Sequence, residues 1–175
     1  MNLKEILQKR RSIRKFNNRE VEEQVIDRVL ESTLKAPSSR NSRSSHFIVV
    51  RDRSTIESIA AMRDYGSAFV KSASAFVLVA GDTTATDLWE VNCSISATIM
   101  QLACVDEGLA SCWVHIKDRP QKQAEPQGAK AIEHIRELVA IPENMEVLCG
   151  IAIGYSDFEP AALPDFDKAS KVIKL

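Results

Sequence analysis

Six residues, Ala75-Phe76-Val77-Leu78-Val79-Ala80, form an unbroken apolar run that stops at Gly81. A run this short, bounded this sharply, reads as a buried strand, and a strand with no polar face must be covered on both sides. The chain therefore needs cover on both faces of a sheet. Three further strands are expected: His46 to Arg51, the stretch after Gly108 as far as His115, and Glu146 to Tyr155 with its glycine exit.

Helical periods alternate with these strands. Asn2 and Glu5 form a capping box ahead of Leu3, Ile6 and Leu7. Asn17 and Glu20 repeat that pattern before Val21, Val25, Ile26, Val29, Leu30 and Leu34, and Pro37 closes the helix. Ser54 and Glu57 predict a third box, opening a short helix through about Met62. The longest helix is expected from about Asp87 to Glu107, with Val91, Ile95, Ile99, Leu102 and Ala103 facing inward and Gly108 stopping it. Its small residues Ser94, Ser96, Ala97 and Ala103 suit a core contact or a dimer interface equally. Ile132, Ile135 and Leu138 mark a last helix over 129–139.

Alternating helices and strands imply an α+β (α/β) fold, although the order of strands in the sheet is not readable. At 175 residues with 45% hydrophobic content, one domain spanning 1–175 has enough apolar material for a core. Two segments stand apart. The polar loop from Arg119 to Gly128 is a candidate rim or lid. The tail, 156–175, has too little local apolar partner and must pack on the body or on a second subunit.

A net charge of -1 leaves no global field to select nucleic acid or an anionic membrane. No segment approaches the roughly 20 apolar residues of a membrane span. The polar start lacks a signal peptide's apolar stretch, so a cytoplasmic location is expected. Cys93 and Cys104 lie about 16 Å apart on one predicted helix and cannot bridge. With Cys112 and Cys149 they read as buried free thiols, and Cys112-x-x-His115 alone does not make a metal site. No G-x-G-x-x-G follows a strand, and no hydrolase arrangement appears.

The chemistry concentrates in Arg10-Arg11-Ser12-Ile13-Arg14-Lys15-Phe16. Guanidinium forks match phosphate oxygens, and each charge-assisted hydrogen bond contributes about 1.5–3 kcal/mol. Ile13 and Phe16 force the segment against a core, which draws its cations toward the interior, where a bound anion offsets their burial.

This heptad resembles the R-R-S-x-R-x-F opening of the nitroreductase family of FMN-dependent oxidoreductases. Ala36-Pro37-Ser38 with Asn41 and Phe47 resembles that family's A-P-S-x-x-N-x-Q-P-W-x-F, although Arg43, Ser44 and Ser45 replace its Gln-Pro-Trp. Gly108-Leu109-Ala110-Ser111-Cys112-Trp113-Val114-His115 resembles G-L-G-S-C-W-I-G, with His115 in place of a small residue, and Ile151-Ala152-Ile153-Gly154-Tyr155 resembles I-x-I-G-Y.

The resemblance implies a mixed central sheet flanked by helices, a homodimer and non-covalent FMN at its interface. It assigns Arg10, Arg11, Ser12 and Arg14 to the FMN phosphate and pyrimidine edge. It assigns Pro37, Ser38, Ser39, Asn41 and Arg43 to a loop crossing from the other subunit, and Cys112, Trp113, Val114 and His115 to the strand beneath the ring. A basic tail residue often reaches the phosphate in such proteins; here Asp165 holds the expected position, with Lys168 and Lys171 as substitutes.

The implied activity is ping-pong hydride transfer from NAD(P)H, through flavin N5, to a small electron-poor acceptor such as a nitroaromatic or quinone. FMN carries the chemistry, so no protein side chain is assigned as catalytic, and His115 is either a packed structural residue or a proton donor. A flavin carrier or sensor without turnover is the rival reading.

Overall fold

The computed structural model describes residues 1–164, 166–167 and 169–174; the expectations placed on Asp165 and Lys168 lie outside them. The described residues form five α-helices and four strands. These are α1 (Leu3–Lys9), α2 (Glu23–Thr33), β1 (Ser45–Val50), α3 (Arg53–Ala60), β2 (Ala75–Asp82), α4 (Trp89–Asp106), β3 (Ala110–His115), α5 (Ala131–Leu138) and β4 (Met145–Gly154). Short 3-10 turns occupy Ser39–Asn41 and Ala68–Ser72.

The sheet order is β1-β2-β4-β3, with every neighbouring pair antiparallel. The parallel element of the sheet is an isolated bridge between Ser12 and Ser111 on the outer edge of β3. β2 and β4 are central and covered on both faces, as the continuous apolar run of β2 requires. Val77 and Val79 with Cys149, Ile151 and Ile153 face α2 and α4. Phe76, Leu78, Ala80, Val147 and Ala152 face the other way, into a second core built by α3, α5 and the 68–72 turn.

Local capping departs from the expected pattern in two places. The box at Asn2 and Glu5 forms. Asn17 instead accepts from Arg19 N in a turn, and α2 starts at Glu23, because Val21 is drawn into the core and its N–H donates to Ser74 Oγ at 2.7 Å. Asp52, rather than Ser54, caps α3 by accepting from Thr55 N at 2.8 Å, and hydrogen bonds from Ser54 and Thr55 hold its carboxyl down at about 2.

The inward face of α4 is also not the expected one. Trp89, Cys93, Ala97, Met100 and Cys104 are buried against the sheet, whereas Val91 is 53% exposed and Ile95, Ile99 and Leu102 are only half-buried. Both sides of this helix are apolar; the side carrying small residues lets it lie close over β2 and β4. Ala103 points inward as expected. α1 buries none of its residues, leaving Leu3 and Leu7 more than half exposed.

The glycine in the middle of β4 has a packing role. A Cβ on Gly150 would overlap the ring carbon Cζ of Phe76, which is fully buried. Gly150→Ala should destabilise the fold by about 1–3 kcal/mol through overpacking, read as a lower denaturant midpoint at unchanged slope. An unchanged midpoint would mean that Phe76 has room to move.

Candidate cofactor site

The arginine segment is laid across the ends of the sheet. Ile13 N donates to Ser111 O at 3.0 Å, at the edge of β3, and Asn17 N donates to Tyr155 O at 2.9 Å, just beyond β4. Between these bonds, Phe16 packs on Gly154; a Cβ there would meet the ring carbon Cδ1 at 2.9 Å. Ile13 is buried. The first and last of the sequence motifs are therefore in contact, and the glycine of one makes room for the aromatic of the other. The tail closes over the outside, with Ser156 Oγ donating to Lys15 O and the Lys15 ammonium 4.9 Å from the Phe158 ring centroid.

This docking places the cations as follows. Arg10 is half-buried and Arg14 exposed, and neither has a carboxylate partner among the described residues. Arg14 lies 5.7 Å from the Phe69 ring centroid. Arg11 is committed otherwise: its NH1 donates to Gln8 O at 2.6 Å and to Arg10 O at 2.8 Å, satisfying carbonyls at the end of α1.

β3 is an edge strand. Ser111 turns its carbonyl outward to Ile13, and along a strand main-chain groups alternate in direction. The N–H and C=O of Trp113 and His115 therefore also point outward from the sheet, along an edge that only the Ser12–Ser111 bridge occupies among the described residues. Cys112 and Val114 are buried beneath, and burial raises the Cys112 thiol despite the nearby Arg14. Burial likewise pushes Cys93 up to about 11 and Cys104 to about 12, so these thiols stay protonated. Among the described residues no group of three or more His, Cys, Asp or Glu side chains is placed to hold a metal ion.

Trp113 and His115 share one face, as their spacing requires, with rings stacked at 6.4 Å and 10°. Burial, then the charges of Arg119 and Arg63, lower the His115 imidazole below its ordinary 6.5. Arg63 stands in a turn joined to the 119–130 loop by Asp64 N donating to Gln121 O at 2.8 Å and Gln123 N donating to Asp64 Oδ1 at 2.9 Å. The two ends of that loop are paired at its base by the Pro120–Lys130 bridge. Among the described residues two buried polar side-chain atoms lack a hydrogen-bond partner: Arg63 Nε, in this neighbourhood, and Ser111 Oγ, whose side chain lies against the buried Cys104 thiol.

The second predicted segment lies elsewhere. Pro37, Ser38, Ser39, Asn41 and Arg43 precede β1, at the opposite edge of the sheet from β3 and at the opposite end of the strands. Three strand spacings separate those edges, about 14 Å. Arg40, Asn41 and Arg43 adopt left-handed backbone (φ 51, 53 and 47°), uncommon for residues other than glycine. Asn92 of α4 holds this shape: its Oδ1 accepts from Ser39 N at 2.9 Å, and its Nδ2 lies 2.9 Å from Ser44 Oγ and 3.1 Å from Ser42 Oγ. Arg43 lines a small hollow with Thr33, Ser45, Phe47 and Ser96.

Comparison with known proteins identifies the family. The model of the Nitroreductase family matches residues 7–72 and 61–155. The chain belongs to the nitroreductase family. A protein of Methanothermobacter thermautotrophicus named "Putative NADH dehydrogenase/NAD(P)H nitroreductase" is 34% identical over 170 residues, spanning 95% of this chain and 84% of that protein. The structure of an FMN-dependent nitroreductase from Clostridium difficile R20291 is 36% identical with a TM-score of 0.87, covering 97% of this chain and 96% of that one. The NADPH:FMN oxidoreductase of Vibrio harveyi, complexed with NAD+, shares the fold at a TM-score of 0.79 and 23% identity, over 97% of this chain and 75% of that one.

Within this nitroreductase-family chain, sequence reasoning missed Arg63, Phe69 and Asn92. Arg63 and Phe69 come from turns with no periodicity, and Asn92 is a polar residue within an apolar helix; that intrusion was the one signal available. An NMR titration should place the His115 midpoint below 6.5, and Arg119→Gln should move it upward. A wild-type midpoint at or above the ordinary value would show that these arginines do not face the ring.

Proposed function

We propose that this chain is an FMN-dependent oxidoreductase that carries reducing equivalents from NAD(P)H to a small electron-poor acceptor, a nitroaromatic or quinone, in alternating half-reactions. The observation that carries the reading is the open edge of β3, where outward main-chain amides at Trp113 and His115 stand beside an arginine segment without carboxylate partners. When bound, FMN would supply the hydride chemistry that links the nicotinamide donor to the acceptor.

The residues present fit such a group. Arg10 and Ser12 would hold the phosphate, and Arg14 the pyrimidine edge, where its charge favours the reduced ring. The His115 main-chain N–H is a directed donor along the open edge. Arg63 Nε, buried without a partner among the described residues, is an atom that a polar, hydrogen-bonding ligand would satisfy, whereas Ser111 Oγ faces the Cys104 thiol inside the core. His115, kept neutral near pH 7 by burial and two arginines, can donate or accept one hydrogen bond at the mouth.

We further place each site between two copies of the chain. The 37–43 loop and the 10–14 segment occupy opposite corners of one sheet, so both can reach one cofactor only when they come from different subunits. A two-fold dimer would also cover the outward stripe of α4 (Val91, Ile95, Leu102) with Leu88 just before it, and the exposed Leu3 and Leu7 of α1. Four unbridged buried cysteines suit a reducing compartment, the cytoplasm. No helix among the described residues is long and apolar enough to cross a membrane.

The purified protein should carry FMN stoichiometric with the chain, and NAD(P)H should bleach it anaerobically, with acceptor restoring the colour. Replacing Arg10 and Ser12 together by alanine should weaken FMN binding by roughly 3 kcal/mol, about a hundred-fold. Full flavin retention in that variant would move the phosphate site elsewhere. Bound flavin that NAD(P)H does not bleach would make the protein a carrier or sensor.

A further inference from the structure

The segment that builds the edge of the cofactor site continues past it. Beyond Asn17 it runs to Val21, whose N–H donates to Ser74 Oγ at 2.7 Å just before β2 begins. Over these residues it stands away from the end of β1, and the gap is a cleft of about 340 Å³. Its lining includes three arginines from three elements: Arg19 from the segment, Arg51 after β1 and Arg53 in the first turn of α3. Asn18, Ser74 and the single carboxylate Glu20 are also on its walls.

Three features distinguish this cleft from an ordinary solvated basic surface. The first is that Arg51 is held by a neutral group: its NH2 donates to Val21 O, and no carboxylate pairs with it among the described residues, so its charge is not neutralised locally. Arg53 spans two partners, with Nε on Glu57 at 3.0 Å and NH1 on Ala73 O at 3.4 Å. The Arg19 guanidinium carbon lies 3.8 Å from the Tyr155 ring centroid, and its NH2 donates to Glu22 Oε1 at 3.1 Å.

The second is that the same bonds fix the walls. Arg51 to Val21 O, Arg53 to Ala73 O and Val21 N to Ser74 Oγ tie three segments together around the cavity, so little ordering remains to be done when an anion enters. The third is donor supply. Ser74 Oγ accepts from Val21 N, which leaves its own hydrogen to donate, and Asn18 adds an amide.

We propose that this cleft is a second anion site, separate from the cofactor site, for a small phosphate-bearing molecule. Three arginines from three elements line the walls, with Arg51 free of a carboxylate among the described residues, and their forked donors suit a tetrahedral group with three terminal oxygens better than a planar carboxylate with two. The volume exceeds what a lone phosphate needs, so the ligand carries a further polar group, for which Asn18 and Ser74 are the partners. Glu20 opposes a purely anionic filling and favours a hydroxyl on that side. The site shares its wall segment with the cofactor grip but none of its side chains, and the proposal does not depend on the flavin reading.

The test is calorimetric titration of the flavin-loaded protein with inorganic pyrophosphate at low ionic strength, where exposed charges are least screened. Saturable binding, stoichiometric with the chain, is expected, and Arg51→Gln/Arg53→Gln should weaken it by about ten-fold or more while leaving flavin content unchanged. If the double variant does not fold, Arg53→Gln alone carries the test, since Arg53 is exposed and contributes no core contact. The Arg10→Ala/Ser12→Ala variant, with its cofactor site damaged and emptied of flavin, should keep one saturable pyrophosphate site that Arg53→Gln weakens. Absence of saturable binding, binding unaffected at Arg51 and Arg53, or loss confined to the Arg10 and Ser12 variant would each overturn the proposal. Citrate binding as tightly as pyrophosphate would overturn the phosphate assignment.

Discussion

The packing of Phe16 on Gly154, between the hydrogen bonds of Ile13 to Ser111 and Asn17 to Tyr155, is the contact on which the rest of the site depends. It lays an otherwise extended segment across the ends of β3, β4 and β2. One consequence is that Arg10 and Arg14 meet the open edge of β3. Another is that Val21 enters the core ahead of α2, which shortens that helix at its start. The tail is tied in as well, because Ser156 and Asp157 bond to Lys15 and Asn17 on the outer side of the same segment.

Much of this was legible from residues alone. The run in β2 announced a strand covered on both faces, and both cores are present. The heptad at Arg10, the Gly108–His115 stretch and the Ile151–Tyr155 ending each pointed to the nitroreductase family, and the spacing of Trp113 and His115 put them on one face. What failed had physical causes. An apolar stripe on α4 was assigned inward, but both sides of that helix are apolar and the smaller one won the core. Capping at Asn17 and Ser54 was read from local pattern, while tertiary pull on Val21 and the better-placed Asp52 decided the helix starts. Arg63 and Phe69 were invisible because turns carry no period.

Sheet order adds a constraint that no local pattern reveals. With β1 and β3 as opposite edges, two segments that resemble parts of one cofactor site lie at opposite corners of the same chain. Asn92 holds the 37–43 loop in a left-handed shape by bonds to its backbone and hydroxyls, from inside a helix whose outward stripe is apolar. The loop is thus tied to the helix that carries the stripe, an arrangement that suits the proposed sharing of a site between two subunits.

The account's central claim is that docking of the 12–17 segment builds the cofactor grip. It is tested most directly by the FMN dissociation constant of Gly154→Ala, measured by flavin fluorescence on protein shown to be folded. The new methyl must displace Phe16, and with it the backbone that carries Ser12 and Arg14. The account predicts binding weaker by about ten-fold or more, the loss of at least one charge-assisted hydrogen bond. A folded variant that binds FMN as tightly as wild type would contradict it.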